Sequence, residues 1–372
     1  LRPRGAGRCT LHSLHGARVP HLLCLLLACA GRSPSPVESP SAGLQVQGVT
    51  IVGGAHDGQV LDVLVVDGLI TAIGPDLAGE GAVRGEGLFL APAFIDSHVH
   101  LAYLPQSAEL AAGGVAAAID LAAPLDFLAQ EHGALRVLAS GPMITAEGGY
   151  PTRSWGAAGY GLECADAAQA AEAVQSLHAQ GARLLKLPVT SAPVLSEEAL
   201  RAAVEAAHGL GLPVLSHALS DSEAALARAV GVDLLAHTPT EPLSEPTLSA
   251  WAEGAVVSTL RAFGGSADTV ENLRALRAAG ATVLYGTDFG NTRTPGIDLA
   301  ELELLVQAGL SPAEVLAAGT SVPASTWGLS ELGAVEVGKA ASFLLLREDP
   351  RRQVEAWASV EGVWIGGERQ AP

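Results

Sequence analysis

Between residues 44 and 90, apolar and polar positions alternate over short runs that end in glycine-bearing turns. Residues 46–52, 59–65, 70–73 and 87–90 read as strands, with Gly53-Gly54, Asp67-Gly68 and Gly74-Pro75 as turns. The pattern returns near the C-terminus over residues 333–340, 342–346 and 360–365. Neither segment can cover its apolar face alone. They predict one small β-sandwich built from both ends of the chain, residues 44–91 with 333–372.

The pattern changes between them. Near-continuous apolar runs of strand length occupy residues 94–101, 115–121, 136–144, 182–189, 213–217, 233–237, 255–260 and 282–287. Helical periodicity fills 165–180, 196–209, 222–230, 243–251 and 267–279. Ser196-Glu197-Glu198 and Ser311-Pro312-Ala313-Glu314 carry N-terminal capping signals. Strands buried on both faces and alternating with helices predict an α/β fold. It is a (β/α)8 TIM barrel over residues 92–332, with its chemistry at the C-terminal strand ends. Residues 103–113 are short for a crossover helix, so the mouth is expected to be open on that side.

Composition narrows the function classes. The chain has 372 residues, 49% of them hydrophobic, and 39 acids against 21 lysines and arginines, a net charge of −18. That balance speaks against a nucleic-acid partner. At the N-terminus, Arg2, Arg4, Arg8 and Arg18 precede an apolar run over residues 19–28. The run is too short to span a bilayer but suits a signal peptide, here residues 1–28. Its end, Leu26-Leu27-Ala28-Cys29, resembles a bacterial lipoprotein signal with Cys29 as the lipidated residue. A plain secretory signal cleaved nearby is the alternative. Residues 29–43 read as a Pro/Ser tether. The expectation is an exported protein, periplasmic or anchored at the outer membrane through that lipid alone, with no disulfide framework.

Chemistry gathers at the predicted strand ends. His98 and His100 are spaced i, i+2 at the end of an apolar run, so both side chains face the same way. His217, His237 and Asp288 end or follow the fifth, sixth and eighth strands. Lys186, one of two lysines in the chain, lies within the apolar fourth strand. Burying an amine is costly unless it is paired or neutralised. A carbamate, which is an anion able to bridge two metals, would relieve that cost; a neutral or ion-paired structural lysine is the alternative.

The run Pro92-Ala93-Phe94-Ile95-Asp96-Ser97-His98-Val99-His100, with Lys186, His217, His237 and Asp288 at later strand ends, resembles the amidohydrolase superfamily, nearest its imidazolonepropionase-like and prolidase-like branch. The likeness covers residues 44–368. It implies two divalent metal ions, Zn²⁺ by expectation. His98, His100 and Asp288 would hold the more buried ion and His217 and His237 the other, with carbamylated Lys186 between them. It further implies hydrolysis of an amide C–N bond, with Asp288 carrying the proton. The substrate would be a small molecule, either dipeptide-like as in prolidases or a cyclic amide of imidazolone or hydantoin type. A metal-binding surface lipoprotein without catalysis is a third possibility, which the complete ligand set disfavours. Three departures stand out: Ala93 for a usual Gly, Ser342 for a common Asp, and Ser220 where deaminase branches carry a Glu three residues after the fifth-strand His. The last argues against nucleobase deamination. Tyr150 is a candidate donor to the developing oxyanion. Arg261 and Arg153 could hold a substrate carboxylate, and Asn291, Thr292 and Arg293 are rim candidates.

Overall fold

The computed structural model describes residues 43–79, 81–190 and 193–371. The signal, lipidation and tether readings fall on residues 1–42 and lie outside the described residues, Gly43 apart. Among the described residues, no helix is long and apolar enough to cross a membrane.

The N-terminal alternation forms strands as expected. β1 (Leu44–Ile51) pairs antiparallel with β2 (Val60–Val66), and β2 with β3 (Leu69–Gly74). β4 (Ala82–Arg84) and β5 (Phe89–Pro92) run parallel beside β1.

Next come ten strands that lie parallel to their partners. β6 (Phe94–Val99), β7 (Val115–Asp120) and β8 (Arg136–Ala139) make a three-stranded sheet. β9 (Met143–Ala146) and β10 (Gly161–Cys164) pair with each other. β11 (Leu185–Pro188), β12 (Val214–His217), β13 (Leu234–Leu235), β14 (Ala255–Val257) and β15 (Thr282–Leu284) make a five-stranded sheet in chain order. The expected third strand over 136–144 is interrupted. Gly141 takes a left-handed φ of 68°, and Pro142 has no N–H to offer a ladder, so β8 stops and β9 starts afresh. Single backbone bonds continue the arrangement beyond the sheets. Arg183 N donates to Ala139 O (3.0 Å), Ser97 N to Tyr285 O (3.0 Å) and His100 N to Phe289 O (2.6 Å). β6 and β7 are buried along their whole length.

Helices α1 (Ser107–Ala112), α2 (Ala167–Ala179), α3 (Glu197–Gly209), α4 (Asp221–Ala229), α5 (Glu245–Ala250), α6 (Ala267–Ala279), α7 (Leu299–Gln307), α8 (Pro312–Gly319) and α9 (Ser321–Thr326) follow the strands. Ser196 accepts from Ala199 N, and Ser311 with Glu314 forms a full capping box, as the sequence anticipates. α1 has six residues, matching the short first crossover.

β16 (Phe343–Leu346), β17 (Val360–Ile365) and β18 (Glu368–Arg369) complete the terminal sheet. The expected sandwich is one hydrogen-bonded sheet of eight strands, with β5 as the seam: it runs parallel to β1 on one side and antiparallel to β16 on the other. Alternation encodes which face a residue takes but not which edges meet. The sheet rolls so that Gly338 N donates to Ile70 O and Ala341 N to Gly68 O. Its core includes Val46, Ile51, Val63, Phe343 and Trp364. Residues 333–340 are turns and not a strand, with Ala340 alone bridging to Leu69.

Candidate metal centre

Alternation along β6 sends Asp96, His98 and His100 to one side. His98 Nε2 lies 3.2 Å from His100 Nε2 and 3.5 Å from Asp288 Oδ1, while His100 Nε2 is 3.2 Å from the same oxygen. All three ligand atoms lie within 4.8 Å of one another, and all three residues are buried, a spacing able to hold a divalent metal ion. Asp288 reaches this position from a left-handed backbone, φ 53°, which Asp tolerates better than most residues.

Two imidazoles are aimed by their other nitrogen. His98 Nδ1–H donates to Ala236 O (2.8 Å), leaving the Nε2 lone pair toward the cluster. His237 Nδ1 is 3.1 Å from the hydroxyl of Thr259. Thr259 has a φ of 41°, an unusual backbone for a β-branched residue and one that marks a functional site when its surroundings impose it. The His237 ring centre lies 4.4 Å from that of His98 and 4.7 Å from that of His217. Burial holds His98 and His237 well below the ordinary histidine value, and burial with nearby Lys186 and His100 pushes His217 down to about 3. Neutral imidazole is the form that ligates metal.

Lys186 on β11 lines the same cavity as His100, His217 and His237, fully buried, its Nζ without a hydrogen-bond partner among the described residues. Burial lowers its pKa to about 7, against the opposing pull of Asp288 and Asp120.

Sequence reasoning passed over the residue that joins the two halves of the cluster. Asp96 Oδ1 accepts from His98 N (3.1 Å) and Thr287 N (3.0 Å), and Oδ2 from the Thr287 hydroxyl (2.5 Å). Burial pushes this carboxyl up to about 7, against the hydrogen bonds from Thr287 and His98. Its place two residues before His98, polar within an apolar run, was the available signal. The Thr287 oxygen also accepts from Phe289 N (3.1 Å), so its own proton must go to Asp96. Asp96→Asn leaves that proton facing an amide N–H₂ or withdraws an acceptor from the two backbone donors. Metal affinity is expected to fall about 10–100-fold, as for other groups that orient ligands. Competition with a chelating dye measures this, and an unchanged affinity would remove Asp96 from the positioning of the site.

A cavity of about 250 Å³ opens onto the cluster. Tyr150, Trp155, Phe263 and Asn291 line it beside the ligands. Trp155 Nε1 donates to the Tyr150 oxygen (2.8 Å), and Asn291 Nδ2 donates to Asp288 Oδ1 (3.0 Å). Burial pushes the Tyr150 phenol up to about 12. Trp155 and Phe263 carried no local sequence signal, because they enter from loops. The arginines go elsewhere. Arg261 binds Asp298 and the Thr294 hydroxyl, and its backbone N–H is held by buried Glu301. Arg153 is exposed and packs on Gly148 beside Glu163. Neither lines the cavity. Arg293 lies over the Tyr103 ring, 5.7 Å from its centre, and the Thr292 hydroxyl donates to Thr287 O (3.0 Å).

Residues 89–369 match the sequence profile described as the Amidohydrolase family. Over 313 residues the chain is 29% identical to an adenine deaminase of Deinococcus deserti, an alignment covering 77% of this chain and 53% of that protein. The chain thus spans about half the length of the curated relative it matches. Among solved structures, a Xaa-Pro dipeptidase with bound methionine superposes with a TM-score of 0.76 at 17% identity, covering 89% of this chain and 100% of that one. A structure described as a putative prolidase from Bifidobacterium longum gives 0.73 at 24% identity, covering 89% and 95%. At these identities the structures share the fold.

Proposed function

From the premise that the chain belongs to the amidohydrolase family, we propose that it is a hydrolase of carbon–nitrogen bonds that cleaves the amide bond of a small molecule at a centre for two divalent metal ions. The three- and five-stranded parallel sheets, continued by backbone bonds from β8 to β11 and from the end of β15 to β6, support a closed (β/α)8 barrel around it.

Lys186 carries the proposal. A fully buried amine with no hydrogen-bond partner among the described residues, in the cavity that His100, His217 and His237 line, is unfavourable as it stands. Its lowered pKa leaves a nucleophilic free amine near neutrality. Addition of its nitrogen to CO₂ forms an N–C bond and releases one proton, giving an anionic carbamate between the two groups of ligands. His98, His100 and Asp288 would hold one ion, His217 and His237 the other. When bound, two such ions, Zn²⁺ in our reading, lower the pKa of a water and polarise the scissile carbonyl. Asp288, fixed by Asn291, takes a proton from the attacking water and passes it to the leaving nitrogen. Tyr150 accepts from Trp155 and so keeps its own O–H free to donate to the oxyanion, and its raised pKa keeps that proton in place.

Dipeptide-like and cyclic amides are the substrate groups to test, the former supported by the Xaa-Pro dipeptidase likeness. The adenine deaminase relative brings in a third chemistry, which the site does not favour. Ser220 caps α4, and the two carboxylates that follow His217 in sequence are both engaged elsewhere: Asp221 accepts from the N–H and hydroxyl of Ser244, and Glu223 from the N–H groups of Leu219 and Ser220. The decisive experiment is metal content per full chain with anomalous scattering at the zinc edge, paired with turnover of both amide groups. Two ions flanking a modified Lys186, with turnover, support the proposal. A single ion, or an unmodified Lys186 in an active enzyme, overturns the two-metal centre.

A further inference from the structure

Resting on the amide-hydrolase reading above but setting aside its dipeptide-like group, whose departing half carries a carboxylate, we propose that the site selects substrates whose departing half is apolar and uncharged, an N-aryl or N-alkyl amine, over those that end in a free carboxylate. A carboxylate entering a desolvated pocket needs a cation or a set of free donors to replace its water. Among the described residues lining the cavity, Lys186 and the metal-ligand histidines are the only basic side chains, and they face the reacting end. The arginines near the mouth are occupied or turned away. Arg261 is paired with buried Asp298, Arg153 lies on Gly148 outside the cavity, and Arg293 is stacked on Tyr103. Asn291 already donates to Asp288, and the free O–H of Tyr150 is assigned above to the oxyanion at the reacting end, so no charged donor is left for a carboxylate on the departing half.

Away from the ligands the wall is largely aromatic. Tyr150, Trp155, Phe263 and Met143 form it. Trp155 is wedged edge-on among Tyr150, Tyr160, Tyr103 and His100, with ring centres 5.2–6.1 Å apart, and Phe263 lies 4.9 Å from the His237 ring. Such a surface stacks a flat or aliphatic group and leaves an anion unsolvated. At about 250 Å³ the cavity is also below the size that holds drug-sized ligands, about 300–1,000 Å³, so the departing group is small. The chain's net charge of −18 adds a long-range bias against anions.

The test compares 4-acetamidobenzoate with its methyl ester on the full-length, metal-loaded protein, following release of the aromatic amine and normalising each rate to alkaline hydrolysis of the same compound. Both present the same acetyl–anilide bond and differ by one charge. The ester is expected to be favoured at least tenfold in kcat/KM, and Phe263→Arg, which adds a cation to the wall, to narrow or reverse that ratio. Equal or better turnover of the acid by the native protein overturns the proposal. Binding of both compounds to native protein, read by quenching of tryptophan fluorescence, gives an independent order if the variant does not fold. Tighter binding of the acid overturns the proposal equally. Absence of turnover of both compounds, and of every amide tried on metal-loaded protein, would count against the amide-hydrolase reading, and the binding order alone would then decide the preference.

Discussion

Replacing Asp288 with Asn is expected to lower kcat/KM by about 10²–10⁴-fold while the protein remains folded. The side chain keeps its shape, and Asn tolerates the left-handed backbone, φ 53°, as well as Asp does. An amide oxygen can still accept from Asn291. What goes is the negative charge facing His98 and His100 at 3.5 and 3.2 Å, and the only carboxylate among the described residues lining the cavity. The attacking water then has no nearby proton acceptor, and the leaving nitrogen no donor to protonate it. Steady-state kinetics on protein of matched metal content separate the proton role from ligation. A variant that keeps a tenth of native activity at full metal occupancy would remove Asp288 as proton carrier.

Lys186→Met is expected to do two things that usually oppose each other. Turnover should fall by at least about 100-fold, because the group proposed to join the two metal positions is gone. The metal-free protein should nevertheless gain stability near pH 7, since a partnerless buried amine gives way to an apolar side chain of similar length. In the native state burial lowers the amine from 10.5 to about 7. Between those values the unfolded chain carries a proton that the native chain lacks, so this group makes native stability rise with pH across that window. Its full extent is on the order of a few kcal/mol. Methionine removes the slope. Denaturant titrations of chelator-treated protein at pH 7 and pH 10 measure both effects, and a slope unchanged by the substitution would show that Lys186 is not buried unpaired in the metal-free state.

Much of this centre could be read from single segments. The i, i+2 histidines fall together because strand periodicity is local, and His217, His237 and Asp288 were found at apolar run ends for the same reason. Tyr150 and Asn291 were within reach because they follow predicted strands closely. Asp96 was visible but passed over: its partner Thr287 lies 191 positions away, and nothing local reveals that a buried carboxylate joins them. Arg261 looked free in sequence and is held by Asp298, 37 positions on.

The sequence alone determined most of the run of strands and helices, residues 136–144 and 333–340 apart, the caps at Ser196 and Ser311, and the face on which each ligand-bearing residue stands. Each depends on periodicity or on a hydrogen bond spanning a few residues. Tertiary structure decided the rest: β5 as the seam of the terminal sheet, Thr259 behind His237, and the aromatic wall around Trp155. Pairings across long sequence separations are chosen by which buried polar groups satisfy one another and which apolar faces close without a gap, and neither condition is written in any one stretch of chain.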